Sequence, residues 1–375
     1  MTARTLLRRA GLLALLALTA CDEATGAFDP VRAEYPIIYG TDDRREVYVL
    51  TDPGLLALAA STVALVDSAD VSPQGDGTYL VNGAPTLGVA RRLCSGEPFA
   101  DQPTAAFCTG FLVSPDRIAT AGHCIDASSC GSTTFVFGYQ MLGAATPRLQ
   151  FAASDVFTCA QVVDRVQSAT NDWAVVRLDR AVTDREPLAL RRTDAVALGA
   201  PVVVAGHPSG LPLKVAGNAA VQNAAPADYF EANVDAYGGN SGSPVVDATT
   251  LEVEGILVRG NTDYTYVRKR GCYVSNVCPD TGCPGWEEVT RAAKFAALVP
   301  IPCEADAGCA DADACTTDTC GSAGTCVFTP VVCPTGLVCT NGTCQAPTCA
   351  AVGQYCASNA ACCSGKCNLA KHKCR

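Results

Sequence analysis

Cysteine placement constrains this 375-residue chain more than any other feature: 14 of its 23 cysteines fall between residues 303 and 375. Large aliphatic side chains are few in that stretch. It has too little apolar surface to build a core, so disulfides must hold it. So many thiols suit an oxidising compartment and would be a liability in a reducing cytosol. The stretch divides in two. Residues 303–344 form a cysteine-rich module of eight cysteines with acidic spacers such as Glu304, Asp306, Asp311 and Asp313. Residues 349–374 carry six more, at Cys349, Cys356, Cys362, Cys363, Cys367 and Cys374.

The last six have the spacing C-x6-C-x5-C-C-x3-C-x6-C, which resembles that of the knottins, the inhibitor cystine-knot peptides. The resemblance implies the pairs Cys349–Cys363, Cys356–Cys367 and Cys362–Cys374, whereas spacing alone leaves the connectivity open. At the other end, Arg4, Arg8 and Arg9 precede a short apolar run from Gly11 to Ala20. Residues 1–20 therefore read as an export signal, too short to cross a hydrocarbon layer of ~30 Å as a helix. The run ends in Leu18-Thr19-Ala20-Cys21, which resembles the lipobox of bacterial lipoproteins and implies a diacylglyceryl group on Cys21. Residues 21–36 read as a linker or propeptide. The expected location is the bacterial envelope, by a lipid anchor on Cys21, or the medium after cleavage near Ile37. The formal net charge of −10 argues against a nucleic-acid partner, because phosphates would be repelled.

Between residues 37 and 300 the chain changes character. Short runs rich in Val, Ile, Leu and Phe, such as Thr134 to Tyr139, Trp173 to Leu178, Pro201 to Ala205 and Glu252 to Val258, alternate with Gly, Pro, Asp and Ser. Short strands with regular turn signals predict an all-β domain, a sandwich or barrel. One stretch reads as a helix, Trp286 to Val299, with Val289, Ala293, Ala296 and Ala297 on one side and Pro300 forbidding continuation.

Only three histidines are available for catalysis. His372 lies between two lysines in the tail and reads as solvated; His207, in Ala205-Gly206-His207-Pro208-Ser209-Gly210, reads as a structural residue in a turn. His123 follows Thr120-Ala121-Gly122 and precedes Cys124, with Cys108 sixteen residues upstream of that cysteine. Those two cysteines can close a hairpin under the imidazole, a loop worth ~3 kcal/mol in the chain-entropy model. Asp172 opens the apolar run Trp173-Ala174-Val175-Val176-Arg177-Leu178, where a carboxylate can be buried and still hold an imidazole in one tautomer. Ser241 sits in Tyr237-Gly238-Gly239-Asn240-Ser241-Gly242-Ser243-Pro244. Small residues there let the backbone turn tightly, so that the amides of Gly239 and Ser241 form an oxyanion hole. The order His, Asp, Ser differs from the Ser, Asp, His order of α/β-hydrolases.

These three blocks resemble the trypsin/chymotrypsin superfamily of serine proteases. Gly239 to Pro244, with Ile37-Ile38-Tyr39-Gly40-Thr41-Asp42-Asp43-Arg44-Arg45, resembles the bacterial glutamyl endopeptidase branch. The resemblance covers residues 37–300. It implies two antiparallel β-barrels with a catalytic triad of His123, Asp172 and Ser241 between them, a closing helix at Trp286 to Val299, and a Cys108–Cys124 disulfide. The implied activity is hydrolysis of protein or peptide substrates through an acyl-enzyme, with no metal or other cofactor.

Two departures bear on specificity and activation. Asn240 stands where trypsin-like zymogens carry an Asp that pairs with the freed amino terminus, so that ion-pair switch is not expected. Leu257 and Val258 occupy the strand where glutamyl endopeptidases place a His, which argues against glutamate specificity. Asp235, six residues before Ser241, falls where trypsin-like enzymes hold the floor of the specificity pocket. A carboxylate there would pair with Arg or Lys, whereas Arg259 near the rim would neutralise it or favour acidic side chains instead. The alternative is a catalytically inactive, protease-like surface protein that binds a partner through its disulfide-rich tail.

Overall fold

The computed structural model describes residues 38–192, 195–278, 283, 285–301, 303, 309–310, 313–321, 325–334, 337–345, 362, 366–368, 371 and 373–374. Residues 1–37, which hold the expected signal, Cys21 and Ile37, lie outside the described residues, as does His372.

Two closed antiparallel barrels dominate. The first is built from β1 (Thr62–Asp67), β2 (Cys108–Ser114), β3 (Arg117–Thr120), β4 (Thr133–Phe137), β5 (Val156–Gln167) and β6 (Asp172–Leu178), in the order β5-β6-β3-β2-β1-β4. β5 closes the ring by pairing with β4 through Val156 and Val136. The second uses β7 (Pro201–Gly206), β8 (Lys214–Asn223), β9 (Tyr229–Ala232), β10 (Pro244–Asp247), β11 (Val253–Arg259) and β12 (Glu287–Arg291), in the order β7-β10-β11-β12-β9-β8. The pairing of β7 with β8 closes it. Closing each ring pairs its first strand with its last, so neither six-stranded ring ends in an unpaired edge.

β-Branched and aromatic residues fill the strands, as a pleated, half-buried surface favours. Val63, Leu65, Phe111, Ile118, Phe135, Phe137 and Val175 pack inside the first barrel. Val202, Val204, Phe230, Val245 and Val289 do so in the second. The first cluster does not stop at the barrel wall. Val203, Ala205, Val246 and Ile256 of the second barrel belong to it, so the two barrels share apolar packing. That shared packing fixes the cleft between them, because close-packed interiors do not slide freely.

The Trp286 to Val299 helix is corrected by the structure. Glu287–Arg291 is strand β12, paired with β9 and β11, and only two short 3-10 turns follow, Ala292–Lys294 and Ala296–Leu298. Val289 and Thr290 are β-branched and lie inside a sheet, where χ1 stiffness carries no helical cost. Phe295 of the following turns is fully buried and meets Trp173 with ring centroids 6.3 Å apart.

Disulfides cross-link both the barrel region and the tail. Cys108–Cys124, Cys130–Cys159, Cys94–Cys272 and Cys278–Cys283 lie in or beside the barrels. In the tail, Cys303–Cys320, Cys309–Cys326, Cys315–Cys339 and Cys333–Cys344 join all eight cysteines of residues 303–344 to one another. Cys362 is bonded to Cys374. Of the other two expected tail pairs, Cys349, Cys356, Cys363 and the Cys367 side chain lie outside the described residues.

Candidate active site

His123 follows the end of β3, and Asp172 is the first residue of the neighbouring β6, paired to β3 in antiparallel register. Asp172 is 4% exposed and grips the histidine twice: Oδ1 accepts the His123 backbone N–H at 3.0 Å, and Oδ2 lies 2.8 Å from Nδ1. The second contact fixes Nδ1 as the protonated nitrogen and leaves Nε2 as the acceptor that a general base requires. Glycine at 122 is what permits this approach. A methyl group on Gly122 would sit 2.0 Å from the Val166 carbonyl oxygen and 2.9 Å from Asp172 Oδ1. The Asp172 backbone N–H reaches Thr290 Oγ1 at 3.3 Å, tying the site to the second barrel. Cys108 and Cys124, beside His123, are bonded to each other and so present no thiolate to a metal.

Ser241 lies on the turn leading into β10, and the turn is held at almost every peptide group. The Thr109 N–H donates to Ser241 O at 2.8 Å, Thr109 Oγ1 donates to Gly239 O at 2.8 Å, and the Asn240 N–H donates to Tyr237 O at 2.9 Å. The Ser209 N–H donates to Gly238 O at 2.6 Å. In a trans peptide, C=O and N–H point opposite ways, so this bond turns the Gly239 N–H away from Ser209. Among the described residues, neither the Gly239 nor the Ser241 N–H has an acceptor. Backbone donors left open on either side of Asn240, one of them on the serine itself, are of the kind that can receive an oxyanion. The Ser241 hydroxyl likewise has no hydrogen-bond partner among the described residues. Asn240 is buried, and its Oδ1 accepts from Ser243 Oγ at 3.4 Å rather than facing a charged group.

A cavity of about 130 Å³ opens beside Ser241, lined by Leu257, Val258 and Arg259 of β11 and by Asp263 and Glu287. Asp235 is not part of it. Its side chain is turned into the protein, where Oδ1 accepts the Tyr39 N–H and Oδ2 the Asp43 N–H, each at 2.8 Å. Burial pushes the Asp235 carboxyl up to about 7 despite those two donors. Asp235 thus anchors the segment after Ile38, which is itself buried and paired in parallel with Val277, and it does not reach a substrate side chain. Arg259 does not meet Asp235 either: its Nε donates to Glu288 Oε2 at 2.7 Å.

The acids that do line the cavity come from elsewhere in the sequence. Glu287, on β12, is 3% exposed; burial first, and the nearby Asp263 second, hold its carboxyl well above the usual range. Asp263 is raised by burial too, opposed by the Gly238 N–H that it accepts at 3.1 Å. Sequence reasoning passed over both. Glu287 fell inside the expected helix, and Asp263 in a polar loop without a motif. Thr109 and Ser209 carried no signal beyond adjacency to Cys108 and His207.

The two closed barrels are those of a trypsin-like fold. Residues 108–256, which contain His123, Asp172 and Ser241, match the family model described as "Trypsin-like peptidase domain". Among solved structures, the VesB protease of Vibrio cholerae is similar at 18% identity, over 68% of this chain and 67% of that one, with a TM-score of 0.40. Human heparin binding protein is similar at 15% identity over 68% and 93%, with a TM-score of 0.42. A Glu endopeptidase in complex with MPD is similar at 14% identity over 70% and 98%, with a TM-score of 0.40. No curated protein sequence matches the chain.

Proposed function

We propose that this chain is an exported serine endopeptidase. The observation that carries the reading is the double grip of Asp172 on His123, at 3.0 and 2.8 Å, in a domain whose Ser241 turn leaves two amides open. In the reaction, Ser241 Oγ attacks the scissile carbonyl while His123 Nε2 takes its proton. The Gly239 and Ser241 N–H groups stabilise the oxyanion, and Asp172 stabilises the imidazolium. His123 then protonates the leaving amine, and water hydrolyses the acyl group on Ser241 by the same steps. The substrates are proteins or peptides.

Cleavage after Arg or Lys is favoured by the buried carboxyl of Glu287 and the half-buried carboxyl of Asp263 in the cavity beside Ser241. A guanidinium or ammonium entering there gains a partner in a poorly solvated slot. The export signal over residues 1–20 and lipidation at Cys21 complete the reading, and Cys21→Ser should move the protein from membrane to soluble fractions. The test of the peptidase reading is hydrolysis of matched peptides with Arg, Lys, Glu or Leu before the scissile bond, by the parent, Glu287→Gln and Asp235→Ser. Preference for Arg or Lys that is lost in Glu287→Gln supports the whole reading. Cleavage without that preference refutes the specificity alone, and no cleavage of any peptide refutes the peptidase.

A further inference from the structure

A second cavity, of about 620 Å³, adjoins the one beside Ser241 and shares Gly238, Asn261 and Asp263 with it. Its outer wall differs in charge: Arg91 and Arg92 line it, with Tyr264 and Tyr273. Both arginines are exposed, and among the described residues neither guanidinium has an ion pair or hydrogen bond. Asp263, the carboxylate on the shared wall, is half-buried; it accepts the Gly238 N–H at 3.1 Å and feels the positive charge of Arg91.

This wall is built, not incidental. Arg91 ends the short helix α1 (Leu87–Arg91), and Arg92 follows in the left-handed region at φ 53°. The Arg92 carbonyl accepts the Tyr273 N–H at 3.0 Å, the Cys94 N–H donates to Tyr273 O at 2.8 Å, and Cys94 is bonded to Cys272. The excursion carrying the arginines is thereby welded to the hairpin Tyr264–Val267/Cys272–Ser275, whose tip adds the exposed Arg268, Lys269 and Arg270. Arg270 also donates to Ser95 O at 3.1 Å. Five cations thus sit on two cross-linked elements of a chain whose net charge is −10.

We infer that this wall is a substrate subsite for an acidic stretch flanking the cleaved bond. The inference rests on the peptidase reading. An acidic peptide is favoured over other polyanions because the cationic wall adjoins the cavity at Ser241. A chain bound there would run from one cavity into the other. Oppositely charged partners also raise encounter rates, and the effect falls with salt.

The test compares two peptides that differ only in having Glu-Glu or Gln-Gln beside the cleaved residue, each placement before and after the bond being tried. The expected kcat/KM ratio of acidic to neutral peptide is about fivefold at low salt, the scale of two rim ion pairs. It should fall to about one in Arg91→Ala/Arg92→Ala and below one in Arg91→Glu/Arg92→Glu. The same pair of peptides, fluorescently labelled, is titrated against the Ser241→Ala chain with and without both arginines. A ratio of one in the parent, or a ratio unmoved by the substitutions, overturns the inference while leaving the peptidase intact. Tighter binding of the acidic peptide to the Ser241→Ala chain, lost with both arginines, while the parent chain hydrolyses neither peptide, supports an acidic-peptide site and overturns the peptidase reading. Arginine-dependent binding of dextran sulfate with no discrimination between the peptides assigns the wall to a glycan and overturns the inference.

Discussion

A methyl group on Gly242, whose φ is +93°, would sit 1.8 Å from the Thr109 carbonyl oxygen, so only glycine lets the Ser241 turn close against β2. Thr109 is the residue on which that contact converges. Its N–H holds Ser241 O, its hydroxyl holds Gly239 O, and the same hydroxyl accepts the His207 N–H at 3.0 Å. Thr109→Val keeps the shape and removes the hydroxyl, leaving a buried N–H and a carbonyl without partners. Loss of an oxyanion donor costs about 10²–10³ in rate, and a donor that is only misplaced should cost less, about tenfold in kcat with KM little changed. Steady-state kinetics on one peptide check this, and an unchanged kcat would remove Thr109 from the positioning network. The proposed triad of His123, Asp172 and Ser241 could be read from the sequence because each residue lies in a short contiguous block with a motif of its own. Thr109 and Ser209 were not, because their role is to hydrogen-bond peptide groups distant in sequence.

At the scale of elements, β12 carries the sharpest lesson. Its apolar spacing at Val289, Ala293, Ala296 and Ala297 fits a helix, but Val289 belongs to a strand and the alanines to two 3-10 turns. Periodicity over so short a run cannot separate the two; the pairing of β12 with β9 and β11 decides it. The misreading hid Glu287, since a helix would have put it on a surface rather than beside Ser241. Its raised proton affinity gives a pH signature: a substrate cation binds the ionised carboxylate, so KM for an Arg peptide should fall as pH rises through the Glu287 titration, and KM for a Leu peptide should not. Glu287→Gln should abolish that difference and raise KM for the Arg peptide by about tenfold, the order of one lost charge-assisted contact. Equal pH dependence for both peptides would contradict the role given to Glu287. The loop closed by Cys108–Cys124 offers a second check at this scale. Replacing both cysteines by alanine should lower unfolding stability by about 3 kcal/mol, read by denaturant titration.

For the whole molecule, the two-barrel architecture was legible because short strands and turn signals recur across residues 37–300. The shared core between the barrels was not, since it is assembled from both halves of the domain. Stability across the molecule should carry the mark of His207, which is 1% exposed, stacked on Tyr139 and bonded through Nδ1 to Leu211 O at 2.9 Å. Burial pushes its pKa down to about 3. Below about 6.5 the unfolded chain protonates this histidine and the folded chain does not. Unfolding free energy therefore falls as pH drops from about 6.5 to about 3, by up to about 1.4 kcal/mol per unit. The raised carboxyls of Asp235 and Glu287 act in the opposite sense as pH rises, so the comparison of parent with His207→Asn isolates the histidine. Denaturant titrations from pH 7 to 4 should show a smaller acid loss in the variant; parallel curves would contradict the assignment.

In the proposed reaction Ser241 is a nucleophile activated by His123. Labelling the folded protein with a fluorophosphonate, followed by peptide mass mapping, reports on that activation. A single adduct on Ser241 is expected, absent in Ser241→Ala and slowed by at least about 10³-fold in His123→Ala. A parent protein that takes no label, or one labelled on another residue at the same rate in all three chains, would contradict it.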